Sequence, residues 1–300
     1  MPIALSKALP PHPFRLGGIV AAALLSIAAS ARAEDMVAVY AAYWAGLPAG
    51  EIRLKLHDGG AAYRDEIEIR TTGLPALLSK FRATALAEGR LVADRPAEPS
   101  HYDATYDLRK RRDRRISMKF VAGAGSFVAE RGPDDTSHKP PLAEKFRSNA
   151  VDPLTALERL RGALRTPRRA ADGSFMIPVY DGARRFDILG RIVPKRDTSE
   201  GALRAELTLR PIAGFKGETS EDGDPDSAPR KVDLVVTDDG RMMPLSITVP
   251  VFFMPLVVQL VQFCRPNEAC PEHEYNESRL QPRSARSASE NSAVNQSVRA

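Results

Sequence analysis

The 300-residue sequence predicts a mainly β fold, in which a large curled antiparallel sheet, a half-barrel or β-spiral, packs around one or two helices. Three observations predict it. Segment after segment alternates apolar and polar residues with period two, as strands do when they bury one face. The other face of each segment is charged, which fits an antiparallel sheet with one side in water and disfavours helix-covered parallel strands, whose sequences run continuously apolar. Only two stretches replace this alternation with a helical pattern.

The chain opens with residues that read as an export signal. Lys7 and Arg15 form a cationic leader, Leu16 to Ala29 is an uncharged apolar run, and Ala31-Arg32-Ala33 supplies small residues where a signal peptidase requires them. The run is shorter than the roughly 20 residues that span a bilayer, so cleavage after Ala33 and a periplasmic location are expected. Loss of the three positive charges Lys7, Arg15 and Arg32 lowers the net charge from +5 to +2. So nearly neutral a mature chain argues against nucleic acid as a partner, and so does the compartment.

The strands follow in order. Ile52, Leu54 and Leu56 alternate with Glu51, Arg53 and Lys55, and Tyr63, Ile67 and Ile69 lie opposite Arg64, Glu66, Glu68 and Arg70. Tyr102, Ala104, Tyr106 and Leu108 continue the pattern, as do Ile116, Met118 and Phe120 across a charged turn. Later strands carry Phe175, Ile177 and Val179, then Phe186 and Ile188, then Leu203 to Leu209, Val232 to Val236, and Leu245 to Val249. Asp58-Gly59-Gly60, Asp181-Gly182 and Asp238-Asp239-Gly240 supply the positive φ of tight turns.

Leu74 to Thr84, opening with Gly73 and with Pro75 in its first turn, is one helix candidate. The stronger one starts at Asp152-Pro153, where the aspartate caps free amides and the proline is pre-set for the first helical position. Its Leu154, Leu157, Leu160 and Leu164 form one apolar stripe that packs on the sheet. Residues Pro133 to Pro141 and Gly217 to Arg230 read as polar surface loops. From Asn276 onward the chain has almost no apolar residue and is expected to be disordered, so residues 34–275 form a single β-rich domain.

Leu245 to Phe263 is an uncharged run interrupted by Pro250 and Pro255; it is read as a buried final strand, a kink and a covered segment, able to shield a sheet edge. Phe252 and Phe253 lie in it with Met254, Leu256 and Val257, too many adjacent large apolar groups for one extended strand to bury on one face. Arg109-Lys110-Arg111-Arg112-Asp113-Arg114-Arg115 reads as a solvated hairpin tip, with anionic lipid head groups as the functional alternative. Cys264 and Cys270, the only cysteines, are expected to form a local disulfide in an oxidising compartment.

No catalytic set emerges. The five histidines are scattered, Gly123-Ala124-Gly125-Ser126-Phe127 lacks the spacing of a nucleophile elbow, and Glu66 and Glu68 share a solvated strand face. A non-enzymatic protein with no metal and no cofactor is expected.

The order of several motifs resembles a known family. Tyr40-Ala-Ala-Tyr-Trp44-Ala-Gly46-Leu-Pro-Ala-Gly50, then Pro99-x-x-Tyr102, Val151-Asp152-Pro153-Leu154, Val179-Tyr-Asp181-Gly182, and Pro244-Leu-Ser-Ile247 look like domain of unknown function 3108. The resemblance implies an exported, uncharacterised β-rich envelope protein of Gram-negative bacteria with no established activity. In general plan it is similar to the lipoprotein-carrier fold and to β-spiral envelope-integrity proteins, which curl a sheet around a helix. On the residues themselves, Gly46 and Gly50 bracket a turn or bulge, and Tyr40 and Trp44 pack on the concave side.

The expected role is that of a periplasmic cell-envelope protein whose concave face either is filled by the Leu154 helix or leaves a groove for a lipid, lipoprotein or other hydrophobic ligand, lined by Tyr40, Trp44, Phe252 and Phe253. A protein-interaction module for envelope maintenance, binding an envelope protein, is the second reading. A cell-wall hydrolase is a remote third.

Overall fold

The structure, a computed structural model, describes residues 34–264 except 59, 74, 75, 77–79, 93, 94, 109, 110, 124, 125, 137–139, 166–172, 194–200, 216–227, 252 and 253. The expected leader and tail, Phe252, Phe253 and Cys270 therefore lie outside the described residues.

Among the described residues, thirteen strands form one antiparallel sheet. They are β1 (Glu34–Trp44), β2 (Leu47–Asp58), β3 (Ala62–Thr71), β4 (Phe81–Arg90), β5 (Glu98–Leu108), β6 (Arg111–Ala122) and β7 (Phe127–Arg131), then β8 (Ser174–Tyr180), β9 (Arg185–Ile192), β10 (Ala202–Ala213), β11 (Arg230–Thr237), β12 (Pro244–Val251) and β13 (Met254–Cys264). Two helices, α1 (Glu144–Arg147) and α2 (Pro153–Arg165), separate β7 from β8.

Each strand pairs with its neighbours in sequence, except that β1 also pairs with β13, and β7 and β8 are the two edges. The chain between those edges closes the gap. Ser148 pairs antiparallel with Val128 of β7, and Val151 pairs parallel with Val179 of β8. Asn149 N donates to Phe127 O at 2.8 Å, Val151 N to Pro178 O at 2.9 Å, and Tyr180 N to Val151 O at 2.8 Å. The sheet is thus a nearly closed barrel in which a short linking segment satisfies part of both edges, which would otherwise invite pairing with another chain.

The expected turns form. Ala45 and Gly46 (φ +53° and +77°) make the two-residue loop between Trp44 and Leu47, and Gly60 and Gly182 adopt positive φ between β2 and β3 and between β8 and β9. Gly50 marks the bulge beside Ala49, where a side chain would crowd Arg70 O at 2.8 Å.

Three expectations are corrected. Phe81 to Thr84, read as the end of a helix, begin β4 instead, while most of 74–80 lies outside the described residues. Alanines at 83, 85 and 87 supply the inward face there, and their small size hides the period-two pattern. The apolar run 245–263 is not a final strand with a kink and cover: it is the β12–β13 hairpin, with Pro250 opposite Pro255, and β13 lies mid-sheet against β1. Prolines facing each other next to the hairpin loop withhold ladder donors where pairing ends anyway. Lastly, α2 does not pack by one stripe. Leu154, Leu160 and Leu164 are buried, but so are Thr155, Ala156, Glu158 and Arg161, because the helix lies inside the barrel with wall on several sides.

The outer face carries charge ladders, with Arg70 paired to Glu51, Lys55 to Glu66, Arg64 to Glu88, Arg191 to Glu206 and Arg204 to Asp233. These exposed pairs stabilise little. Their position is the reverse of a transmembrane barrel, whose outward band is apolar.

Candidate functional site

The barrel interior has two unlike halves. Because strands alternate in direction, β1, β3, β8 and β12 finish at one end, and β4, β6 and β11 finish at the other. Helix α2 is tied to the second end: Arg159 Nε donates to Ala97 O at 2.8 Å and Arg161 Nε to Arg241 O at 2.9 Å. Thirteen residues of helix extend only about 20 Å.

Around the helix the core is polar at its centre. Asp152 caps α2, its Oδ1 accepting from Leu154 N at 3.0 Å and Thr155 N at 2.8 Å. The Thr155 hydroxyl donates to Asp152 Oδ2, which leaves the Tyr63 phenol to donate to Thr155 Oγ1, each at 2.5 Å. Glu158 forms an ion pair with Arg161 one turn on, both almost wholly buried. Tyr40, expected to line a groove, is instead buried in this core at 3% exposure. Burial raises its phenol above the ordinary value, the nearby Arg161 charge opposing, and its hydroxyl has no hydrogen-bond partner among the described residues.

Burial also raises the Asp152 carboxyl, to about 6, against the hydrogen bonds from Thr155 and the backbone amides that favour the ionised form. Its proton is held more tightly in the folded state than in the unfolded chain, whose carboxyl titrates near 4. This group therefore favours folding most below about pH 4, and that contribution is lost as pH rises through about 6, by about 2–3 kcal/mol. Asp152→Asn keeps an acceptor at the cap but does not titrate. The stability difference between wild type and Asp152→Asn, from urea unfolding at pH 4 to 7.5, is expected to move against the wild type as pH rises. A difference that is flat across that range would refute the assignment.

At the end away from the helix the same concave face is only half-buried. Leu54, Leu56, Tyr63 and Ala87 are buried, whereas Ile52, Ile67, Ala85, Tyr106, Ile247, Val249 and Leu256, on the same face of their strands, are partly exposed. Trp44 ends β1 at this rim, half-buried opposite Leu47 and Leu256, and its indole N–H is buried without an acceptor among the described residues. Leu47 and Met254, beside it on the two hairpins, are exposed.

A cavity of about 200 Å³ opens on this concave face, lined by Phe186, Leu209, Pro211, Phe215 and Ala228 with Arg184 and Arg230. The β8–β9 turn shapes it. Asp181 Oδ1 accepts from Ala183 N at 2.9 Å and Arg184 N at 2.6 Å, and its Oδ2 accepts from Arg184 Nε at 3.0 Å. The Arg184 guanidinium lies 5.5 Å from the centre of the Phe215 ring. A Cβ on Gly182 would overlap Ile116 Cγ2 of β6, so the turn meets β6 across the seam between the two sheet edges. Two further cavities, of about 290 and 360 Å³, lie on the outer face among the charge ladders.

Of the residues expected at the site, Tyr40 and Trp44 share the concave side, with Tyr40 in the core and Trp44 at the rim. Cys264 ends β13, buried, opposite Val37. Arg114, Arg184 and Arg230 were not expected. Arg114 was grouped with the solvated tip, yet it occupies β6 on the face of Ile116 and Met118, opposite Tyr106. Its parity with Ile116 is a signal that the sequence carries.

Comparison with known proteins follows the fold. The family described as "Protein of unknown function (DUF3108)" matches residues 39–260. No curated protein matches the sequence. Among solved structures, the chain is similar to a crystal structure of a β-barrel-like protein of domain of unknown function DUF1849 from Brucella abortus, at 11% identity and a TM-score of 0.47, over 79% of this chain and 100% of that one.

Proposed function

Because the chain belongs to the DUF3108 family of proteins of unknown function, we propose its role from its own geometry: an exported, non-enzymatic protein of the periplasmic envelope that takes a hydrophobic ligand into the end of its barrel away from the helix. The observation that supports this reading is the half-buried concave face there, with its apolar cavity, in a barrel whose other half is closed by α2. Concave apolar sites with a few placed polar groups are where small ligands bind. Of the carboxylates Glu66 and Glu68, that of Glu66 is engaged by Lys55 and Arg64 on the outer face, which supports a structural part for it over an acid–base one. The periplasmic location rests on the leader, and a Cys264–Cys270 disulfide would suit it.

Native mass spectra of the exported chain, before and after organic extraction, test the reading. An added mass that extraction removes is expected. Phe215→Ala should lower its occupancy by roughly tenfold or more, the effect of losing one buried aromatic contact. A clean mass that gains nothing on incubation with a lipid extract would sink the proposal and turn the search to protein partners of the outer face.

A further inference from the structure

We infer that the ligand of this site is a single-chain amphiphile with an anionic head, a long-chain carboxylate whose head group is received by Arg114 and Arg184. The inference rests on the proposed ligand-binding role and adds the chemical class of the ligand.

Arg114 carries the argument. It stands half-buried on the concave face of β6, next to Ile116 and opposite Tyr106, its Nε is buried, and its side chain makes no hydrogen bond or ion pair among the described residues. A buried guanidinium N–H without a partner is costly, and a bound anion relieves that cost. Arg184 is brought to the same place by the Asp181 turn, which meets β6 at Ile116. Burial raises the Tyr106 phenol, with the Asp181 charge adding to it, while the hydrogen bond with Tyr102 and the charges of Arg184 and Arg114 oppose the rise.

Asp181 is the acidic group on the turn, and both of its oxygens are taken, by two backbone amides and by Arg184. Arg230 also lines the cavity. A planar guanidinium matches a carboxylate through two parallel N–H···O bonds.

The tail is read from the walls. Phe186, Leu209, Pro211, Phe215 and Ala228 line the cavity, and the half-buried Ile247, Val249 and Leu256 extend the apolar face along the neighbouring strands. At about 200 Å³ the cavity is below the roughly 300–1,000 Å³ usual for small-molecule sites, which fits one acyl chain and not a diacyl lipid.

The full exported chain, wild type and Arg114→Gln, would be titrated with dodecanoate and with dodecanol at pH 8, with melting curves confirming that both proteins are folded. The wild type is expected to bind dodecanoate roughly tenfold more tightly than dodecanol, as one charge-assisted bidentate contact allows. In Arg114→Gln the ratio should fall close to one, and in Arg114→Lys it should lie between. Equal affinities in the wild type, or a ratio unchanged in Arg114→Gln, would overturn the anionic head while leaving the apolar site standing. Failure of both probes to bind would remove both.

Discussion

Glu158→Leu is expected to lower the free energy of unfolding by about 3–5 kcal/mol, the range measured when one member of a buried ion pair is removed. Glu158 and Arg161 lie one turn apart on α2, 4% and 1% exposed, inside the barrel. Without the carboxylate, the guanidinium keeps its bond to Arg241 O but loses the opposite charge that offsets its desolvation. The double change Glu158→Leu with Arg161→Met removes both charges and should recover more than half of the loss, since apolar replacements of buried pairs are often neutral. Urea unfolding with an unchanged m-value is the measurement. A single-variant loss below about 1 kcal/mol would mean that the pair is solvated and the barrel wetter than its burial implies.

Gly89→Val is expected to cost about 3 kcal/mol or more through overpacking. Gly89 sits where the β4–β5 register shifts. An added Cβ would overlap the backbone carbonyl of Glu98 and the Tyr63 phenol. The carbonyl belongs to the paired strand and cannot yield without breaking the ladder. The phenol belongs to the chain of hydrogen bonds through Thr155 to Asp152, so the damage would pass from the wall to the helix cap. Gly89→Ala in the same experiment should show a smaller loss of the same kind. Equal stability of Gly89→Val and wild type would show that the wall at β4 is free to move outward and that the Tyr63 contact contributes little.

Much of the fold was legible. Leu54 and Leu56, Tyr102 and Ala104, Ile177 and Val179, and Val232 and Leu234 all face the interior as their alternation requires. Asp152-Pro153 starts the helix where the cap chemistry places it. The strands that escaped notice have physical reasons. In β1 the run Val37 to Ala42 is apolar on both faces, and Val39 and Ala41 are buried although they alternate with Ala38 and Tyr40. In β4 the inward residues are alanines, too small to stand out from their neighbours.

The candidate site was harder to read. Tyr40 and Trp44 were rightly given to the concave side, but which of them reaches solvent depends on how far α2 extends along the barrel. Arg114 stood in plain sight beside Ile116, and the density of charge around it drew it into a surface cluster. Arg184 lies three residues beyond Asp181 in a turn that the sequence marks, yet nothing local says that this turn crosses to β6.

By itself, then, the sequence determined what short-range physics can encode: which face of each strand is buried, where the glycine turns fall, where a helix is capped, and which family the motif order resembles. Tertiary structure alone decided that β1 pairs with β13, that Ser148 to Val151 bridges the two edges, that α2 fills one half of the interior, and that Arg114 meets the Asp181 turn at the other end. Period two sets the face of a residue but carries no information on the neighbour of its strand. Joining the two halves of the sheet depends on β1–β13 contacts between residues more than two hundred positions apart, and the apolar surface that remains half-buried is what closure of the barrel leaves over.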